Sequence, residues 1–121
     1  MPESDSILTM TKKLCNVPET YDVFDLDFLT YINANFATLH QLGVGPQDVI
    51  FQITGKDAEW SAFIGTHAAI GGVKSWMGMK TRLAFDPPSN NAVLESLKGQ
   101  ISELEFRLMA AADDIRSQEG K

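Results

Sequence analysis

Apolar residues recur at helical spacing along most of this chain, and most regularly in its last third. There the steps alternate between three and four residues, which is typical of a heptad seam, at Leu94, Leu97, Ile101, Leu104, Leu108, Ala111 and Ile115. With a stop at Asp86-Pro87-Pro88 before it, this pattern predicts a helix over residues 89–117, about 40 Å long. Since a domain of this size is only slightly less wide, we expect part of the helix to project beyond the domain or to lie along a partner.

A second stripe with the same spacing covers residues 28–42 and predicts one buried helix face over about four turns. Asp25 or Asp27 is expected to cap the start of this helix. Gly43 suits a left-handed position after the last turn, and Pro46 cannot continue a helix, so the helix should end there.

The N-terminal part predicts a short helix over residues 7–14. Ser4-Asp5-Ser6 offers side-chain oxygens that can cap its start. Asn16 and the Val17-Pro18 step should end it, because proline disfavours a helical residue before it. The adjacent basic pair, Lys12-Lys13, is then expected on the surface at the end of this helix.

Residues 49–54 have the β-branched content of a short strand and lie between Pro46 and Gly55. A lone strand cannot form a sheet. The segment is therefore expected either to pair with a neighbouring subunit or to pack as an extended piece.

The following region predicts a helical turn and then a further helix. Asp57 is the expected cap of the turn, which carries Trp60, and Gly65 should end it. Thr66 is the expected cap of the next helix, which extends to about Leu83. Glycines inside that helix each cost about 1 kcal/mol relative to alanine. Their small size should let another helix approach closely.

Together these elements predict a mainly α fold: a small bundle of about four helices with one short extended segment and a long C-terminal helix. The chain has 121 residues, 44 % apolar and 21 % charged, which suits a single domain over residues 1–121 with a helical core at about 5–86. The uncharged stretch 60–73 is too short to span a bilayer. The acidic start lacks the basic and apolar parts of a secretory signal.

Charge and chemistry narrow the possible functions. A net charge of −6 argues against binding nucleic acid through its phosphates. The single cysteine, Cys15, excludes an internal disulfide, fits a reducing compartment and is expected to be buried. His40 and His67 lack the spacing of metal ligands, and no residue pair suggests a nucleophile with its base. No catalytic, cofactor or metal site is predicted, and Trp60 and Trp76 are expected in the core.

Several stretches, taken in order, resemble the head–tail connector proteins of long-tailed bacteriophages, which are also called adaptor or head-completion proteins. The resemblance covers residues 7–115. Its most specific parts read TLHQLGVGP and RLAFDPP, and the stretches that carry it are residues 11–14, 25–27, 32–46, 73–88 and 100–108. The chain departs from the pattern of this family at two places: Phe106 replaces an expected tryptophan, and residues 76–79 replace expected tyrosine and leucine. Both are exchanges between apolar residues, which affect the details of packing more than the assignment to the family.

The resemblance implies a virion structural protein made in the host cytoplasm. Its copies, twelve in the virion, would form a ring beneath the portal protein, with a further connector or stopper protein on the tail side. The C-terminal helix would engage the portal. The genome would pass through the ring without specific binding, and an acidic inner wall would keep the DNA from adhering. No cofactor and no membrane are implied.

The alternative reading is a cytoplasmic helical regulator or assembly chaperone that dimerises through the C-terminal heptads. The two readings differ in oligomeric state, because the regulator should be a stable dimer by itself. The candidate residues for an interface with the portal or a neighbouring subunit lie on the last helix outside its seam, at Phe106, Arg107, Met109, Asp113 and Arg116.

Overall fold

The computed structural model describes residues 5–65, 67 and 70–119. These residues form five α-helices and no β-strand, which confirms the predicted mainly α fold with a long C-terminal helix. The helices are α1 Ile7–Leu14, α2 Asp25–Gln41, α3 Trp60–Ile64, α4 Val73–Phe85 and α5 Asn91–Glu119.

Local hydrogen bonds define both ends of α1, as the sequence predicts. The Ser6 hydroxyl accepts a bond from the Thr9 amide at 3.2 Å and so caps the first turn. Asn16 has a φ of 63°, and the amides of residues 16 and 17 bond back to carbonyls of the last turn. Ser4, the first residue of the predicted capping stretch, lies outside the described residues.

The end of α2 is predicted correctly, but the residue that caps its start is not. Gly43 has a φ of 83° and closes the helix in the same way as Asn16 closes α1. At the start, Phe24 occupies the cap position without a side-chain bond, so the predicted cap at Asp25 or Asp27 is wrong. The reason is tertiary, because the Asp25 carboxylate lies 2.7 Å from the ammonium group of Lys12.

Lys12 lies in the last turn of α1, as predicted, but its side chain is buried instead of exposed at the helix end. Its side chain is only 2 % exposed and donates a 3.1 Å hydrogen bond to the Glu19 carbonyl in addition to the Asp25 ion pair. These contacts tie α1, the loop after it and the start of α2 together. A buried ammonium group needs such partners, because burying it unpaired costs several kcal/mol.

Within the single chain, residues 50–54 of the segment 49–54 pack as an extended piece, and pairing with a neighbouring subunit stays a prediction. The chain has no bend from residue 50 to residue 54, and Ile53 is buried against α2. The Asn33 side chain of α2 bonds both backbone groups of Ile53, at 2.8 and 2.9 Å. The segment is thus fixed to the domain by one side-chain amide.

Helix α3 receives its cap from a distant part of the chain. The predicted cap at Asp57 is wrong: Glu59 precedes the helix and makes no side-chain capping bond. Instead, the Asp5 carboxylate accepts a 3.2 Å bond from the Ser61 amide, and the Asp5 carbonyl accepts a 3.0 Å bond from the Trp60 amide. Gly65 ends the helix, as predicted, with a φ of 61°.

Helix α4 begins at Val73, after a turn, and so later than the predicted cap at Thr66, which lies outside the described residues. A close approach at a glycine occurs as predicted, between α4 and α1. A Cβ atom added to Gly78 would lie 2.6 Å from Leu14 Cδ1, so any larger residue there would force Leu14 to move.

The buried residues form one hydrophobic cluster with two groups of aromatic rings. In one group Phe36 contacts Phe51 and Phe63, with ring centroids 5.0 and 4.9 Å apart. In the other, Phe85 packs between Phe24 and Phe28. The two tryptophans are fully buried, which confirms their prediction as core residues.

Candidate protein interface

The two long faces of α5 differ sharply in burial. The heptad seam faces the chain's own core, where Leu97, Ile101 and Leu108 are buried, and Leu104 and Ile115 are partly buried against the same cluster. The seam is therefore used inside the chain, mainly by α4, and is not a free coiled-coil face. The start of the helix is capped by Asn90, whose side chain accepts a 3.1 Å bond from the Val93 amide.

Polar contacts fix the middle of α5 on α4. The indole N–H of Trp76 donates a 3.0 Å hydrogen bond to Glu105, and Lys80 lies 3.8 Å from the same carboxylate. These directional bonds fix the rotation of α5 about its axis, and this rotation decides which residues face outward.

The C-terminal part of α5 is fastened to the end of α2 by Arg116. The guanidinium group donates a 2.6 Å hydrogen bond to the Gly43 carbonyl and pairs with Asp113 one turn earlier on α5. The Gly43 carbonyl follows the last turn of α2, where carbonyls lack partners within the helix. Arg116, a predicted interface residue, thus has an intramolecular role as well as an exposed side chain.

The outer face of α5 presents apolar side chains to solvent. Phe106 is 73 % exposed and Met109 is 41 % exposed. With Asp113, which is also exposed, they stand at i, i+3 and i+7 and therefore share one face. Arg107 lies on the flank of this face and forms a 2.7 Å ion pair with Glu103. Three of the five predicted residues are thus brought together, and Arg107 and Arg116 border them.

A second exposed apolar group, which the sequence interpretation did not identify, surrounds the start of α2. Tyr21 and Val23 are exposed in the preceding loop, and Leu26 is 75 % exposed in the first turn. The sequence does contain a signal for this group, because the apolar residue Leu26 falls outside the buried stripe of α2. Val49 and Ile50 form a third exposed apolar site, on the extended segment.

The described residues form a cleft but contain no cluster of metal-ligating side chains. Within residues 5–65, 67 and 70–119, no group of three His, Cys, Asp or Glu residues is placed to hold a metal ion. A cleft of about 500 Å³ opens beside the Arg116–Gly43 contact, with mostly apolar walls that include Phe63 and Ile115.

Cys15 is buried, as predicted, and burial raises the pKa of its thiol to about 11, which makes it a poor nucleophile near neutral pH. No helix in the described part of the chain is long and apolar enough to cross a membrane.

Comparison with known proteins agrees with the resemblance that the sequence motifs carry. The family model described as "Phage connector protein" matches residues 7–114. No curated protein and no solved structure matches the chain. The match covers almost all of the residues from the start of α1 to the last turns of α5, so the chain belongs to the phage connector protein family.

Proposed function

We propose that this chain is a non-enzymatic virion protein that joins the phage head to the tail. Its copies form a ring, with twelve subunits, beneath the portal protein, and a further connector or stopper protein binds on the tail side. Family membership supports a structural connector role in a phage, with other head and tail proteins as partners. One hydrophobic cluster joins all five helices, which supports a single domain as the repeating unit of the ring.

The observation that carries the portal contact is the outer face of α5. Its inner face is held by the core, by Glu105 and by Arg116, so the outer face is presented in one fixed orientation. Exposed aromatic residues on a rigid support are the usual anchors of protein interfaces. Burying a phenylalanine side chain such as Phe106 contributes about 1.5–3 kcal/mol. We assign Phe106 and Met109 as anchors for the portal, with Arg107, Asp113 and Arg116 at the polar rim.

The alternative, a cytoplasmic regulator or chaperone that dimerises through its heptads, is disfavoured by the burial of the seam. Leu97, Ile101 and Leu108 already pack inside the chain. A dimer through these residues would first have to release α5 from its own domain and expose the core. The outer face offers no replacement seam, since Gly99 and Asp113 occupy it on either side of Phe106.

The net charge of −6 fits a channel through which DNA passes without binding. We propose that acidic side chains of the ring face the channel. A map of the assembled ring with a neutral or basic lumen would contradict this part of the proposal.

The function is tested by deleting the gene from the phage. Lysates should then contain DNA-filled heads and free tails that remain unjoined in electron micrographs. Supplying the wild-type chain from a plasmid should restore joined particles. Normal tailed particles without this chain would overturn the proposal.

A further inference from the structure

The extended segment 50–54 has one edge that is used inside the domain and one that is not. Ile53 turns its backbone N–H and C=O toward α2, where the Asn33 amide bonds both. In an extended chain, successive residues direct these groups to opposite sides. The N–H and C=O groups of Ile50, Gln52 and Thr54 therefore point away from Asn33. We call these groups the free edge.

The free edge carries no hydrogen bonds within the described part of the chain. The residues that carry it lie at the surface: Ile50 is 46 % exposed, and Gln52 and Thr54 are exposed as well. The side chains of Phe51 and Ile53 pack against the core and anchor the segment there. The segment is thus held straight, with β-branched residues at the surface and a row of unbonded backbone groups.

The charge pattern of this edge specifies the chemistry of its partner. Partial positive N–H and partial negative C=O groups alternate along it, and the complementary pattern is another extended backbone. Unpaired strand edges are the sites where proteins accept an added strand. We propose that an extended segment of another virion protein adds as a β-strand to the free edge. This proposal rests on the proposed function.

A second copy of this chain is a poorer partner for two reasons. Antiparallel pairing of two 50–54 segments is symmetric, so it closes at a dimer and cannot continue around a ring. Pairing with a different segment of a neighbouring copy needs a second extended stretch. Outside the helices and residues 50–54, no described stretch without a turn or bend is longer than two residues. The described residues thus offer no such stretch, and we assign the added strand to a different protein.

The first test compares amide hydrogen exchange in the isolated chain and in purified phage particles, read by mass spectrometry with residue-level fragmentation. The Ile53 amide is already bonded and serves as an internal reference. The amides of Ile50, Gln52 and Thr54 should exchange more than about tenfold more slowly in the particle. If the chain is present in the particle and these amides remain unprotected, the strand proposal is overturned while the proposed function stands.

Two further outcomes of this test would also overturn the strand proposal. Protection of the same amides in a purified dimer would identify a second copy as the partner. Absence of the chain from the particle would overturn the proposed function together with the strand proposal.

The second test uses two variants that differ in one backbone group. Gln52→Pro removes the outward N–H, whereas Gln52→Ala keeps it and serves as the control. Each variant is supplied to the gene-deleted phage, and its folding is checked by circular dichroism. Gln52→Pro should lower the yield of joined particles by more than about tenfold relative to Gln52→Ala. Equal yields from two folded variants would contradict the proposal. If Gln52→Pro does not fold, the exchange measurement on the wild-type chain decides.

Discussion

The inner and outer faces of α5 both carry large apolar side chains, yet these side chains have opposite surroundings. The inner face places Ile101 and Leu108 in the core of the chain. The outer face leaves Phe106 and Met109 in solvent. The heptad pattern therefore describes packing within one chain, and the residues that break the polar character of the outer face mark the surface available to a partner. The two faces should respond differently to the same kind of substitution.

The largest expected effect is on stability, from truncation of the inner face. Ile101→Ala removes a buried side chain and should lower the free energy of unfolding by about 2–5 kcal/mol, because it leaves a cavity beneath α5. Denaturant unfolding followed by circular dichroism measures this change. Met109→Ala on the outer face is the matched control and should change stability by less than about 0.5 kcal/mol. Equal losses for the two variants would contradict the assignment of the faces.

The next effect is on binding, from truncation of the outer face. Phe106→Ala should weaken binding to the portal ring of the same phage by about 2 kcal/mol, or roughly thirtyfold, while unfolding stays unchanged. Binding is measured by calorimetry with purified portal. Val93→Ala removes another exposed apolar side chain, on a different side of α5, and should leave the affinity within about threefold. If Phe106→Ala binds like the wild type, the anchor lies elsewhere.

Loss of the Arg116 contact should have a smaller effect that is confined to the end of α5. Arg116→Ala removes the bond to the Gly43 carbonyl and the pair with Asp113. Because the side chain is exposed, the loss of global stability should be about 1 kcal/mol or less. Amide exchange should speed up in the last two turns of α5 and stay unchanged around Ile101. Uniform acceleration along the helix would show that Arg116 supports the whole domain.

The smallest effect concerns the buried thiol of Cys15, which lies on the α1 side of the core. Burial raises its pKa from about 9 to about 11, so folding favours the neutral thiol. The stabilisation that the folded state gains from the neutral thiol should be fully present below pH 9 and should be lost as the pH rises toward 11. Unfolding of the wild type and of Cys15→Ala should therefore differ less at pH 10.5 than at pH 8. A constant difference between the variants would contradict this assignment.

Sequence patterns predicted the features of the fold that depend on neighbouring residues. The cap at Ser6, the ends at Asn16 and Gly43 and the phase of the α5 seam all follow from residues within one or two turns. The phase of the seam also predicts that Phe106 points outward, since Phe106 lies on the side of the helix opposite the seam.

The features that the sequence did not reveal depend on contacts between distant residues. Asp57 fails to cap α3 because Asp5, far earlier in the chain, supplies the cap. Lys12 is buried because Asp25 and the Glu19 carbonyl receive it. The Arg116–Gly43 contact joins residues 73 positions apart. No local pattern encodes such pairs, so they could not be predicted from spacing alone.

The central claim is that the inner face of α5 is used within one chain while its outer face binds the portal. Size-exclusion chromatography with light scattering tests it most directly, first on the chain alone and then on its mixture with the portal ring. We predict a monomer of 13.3 kDa alone and a complex of ring size with the portal. A stable dimer that ignores the portal would contradict the account and favour the dimerising regulator.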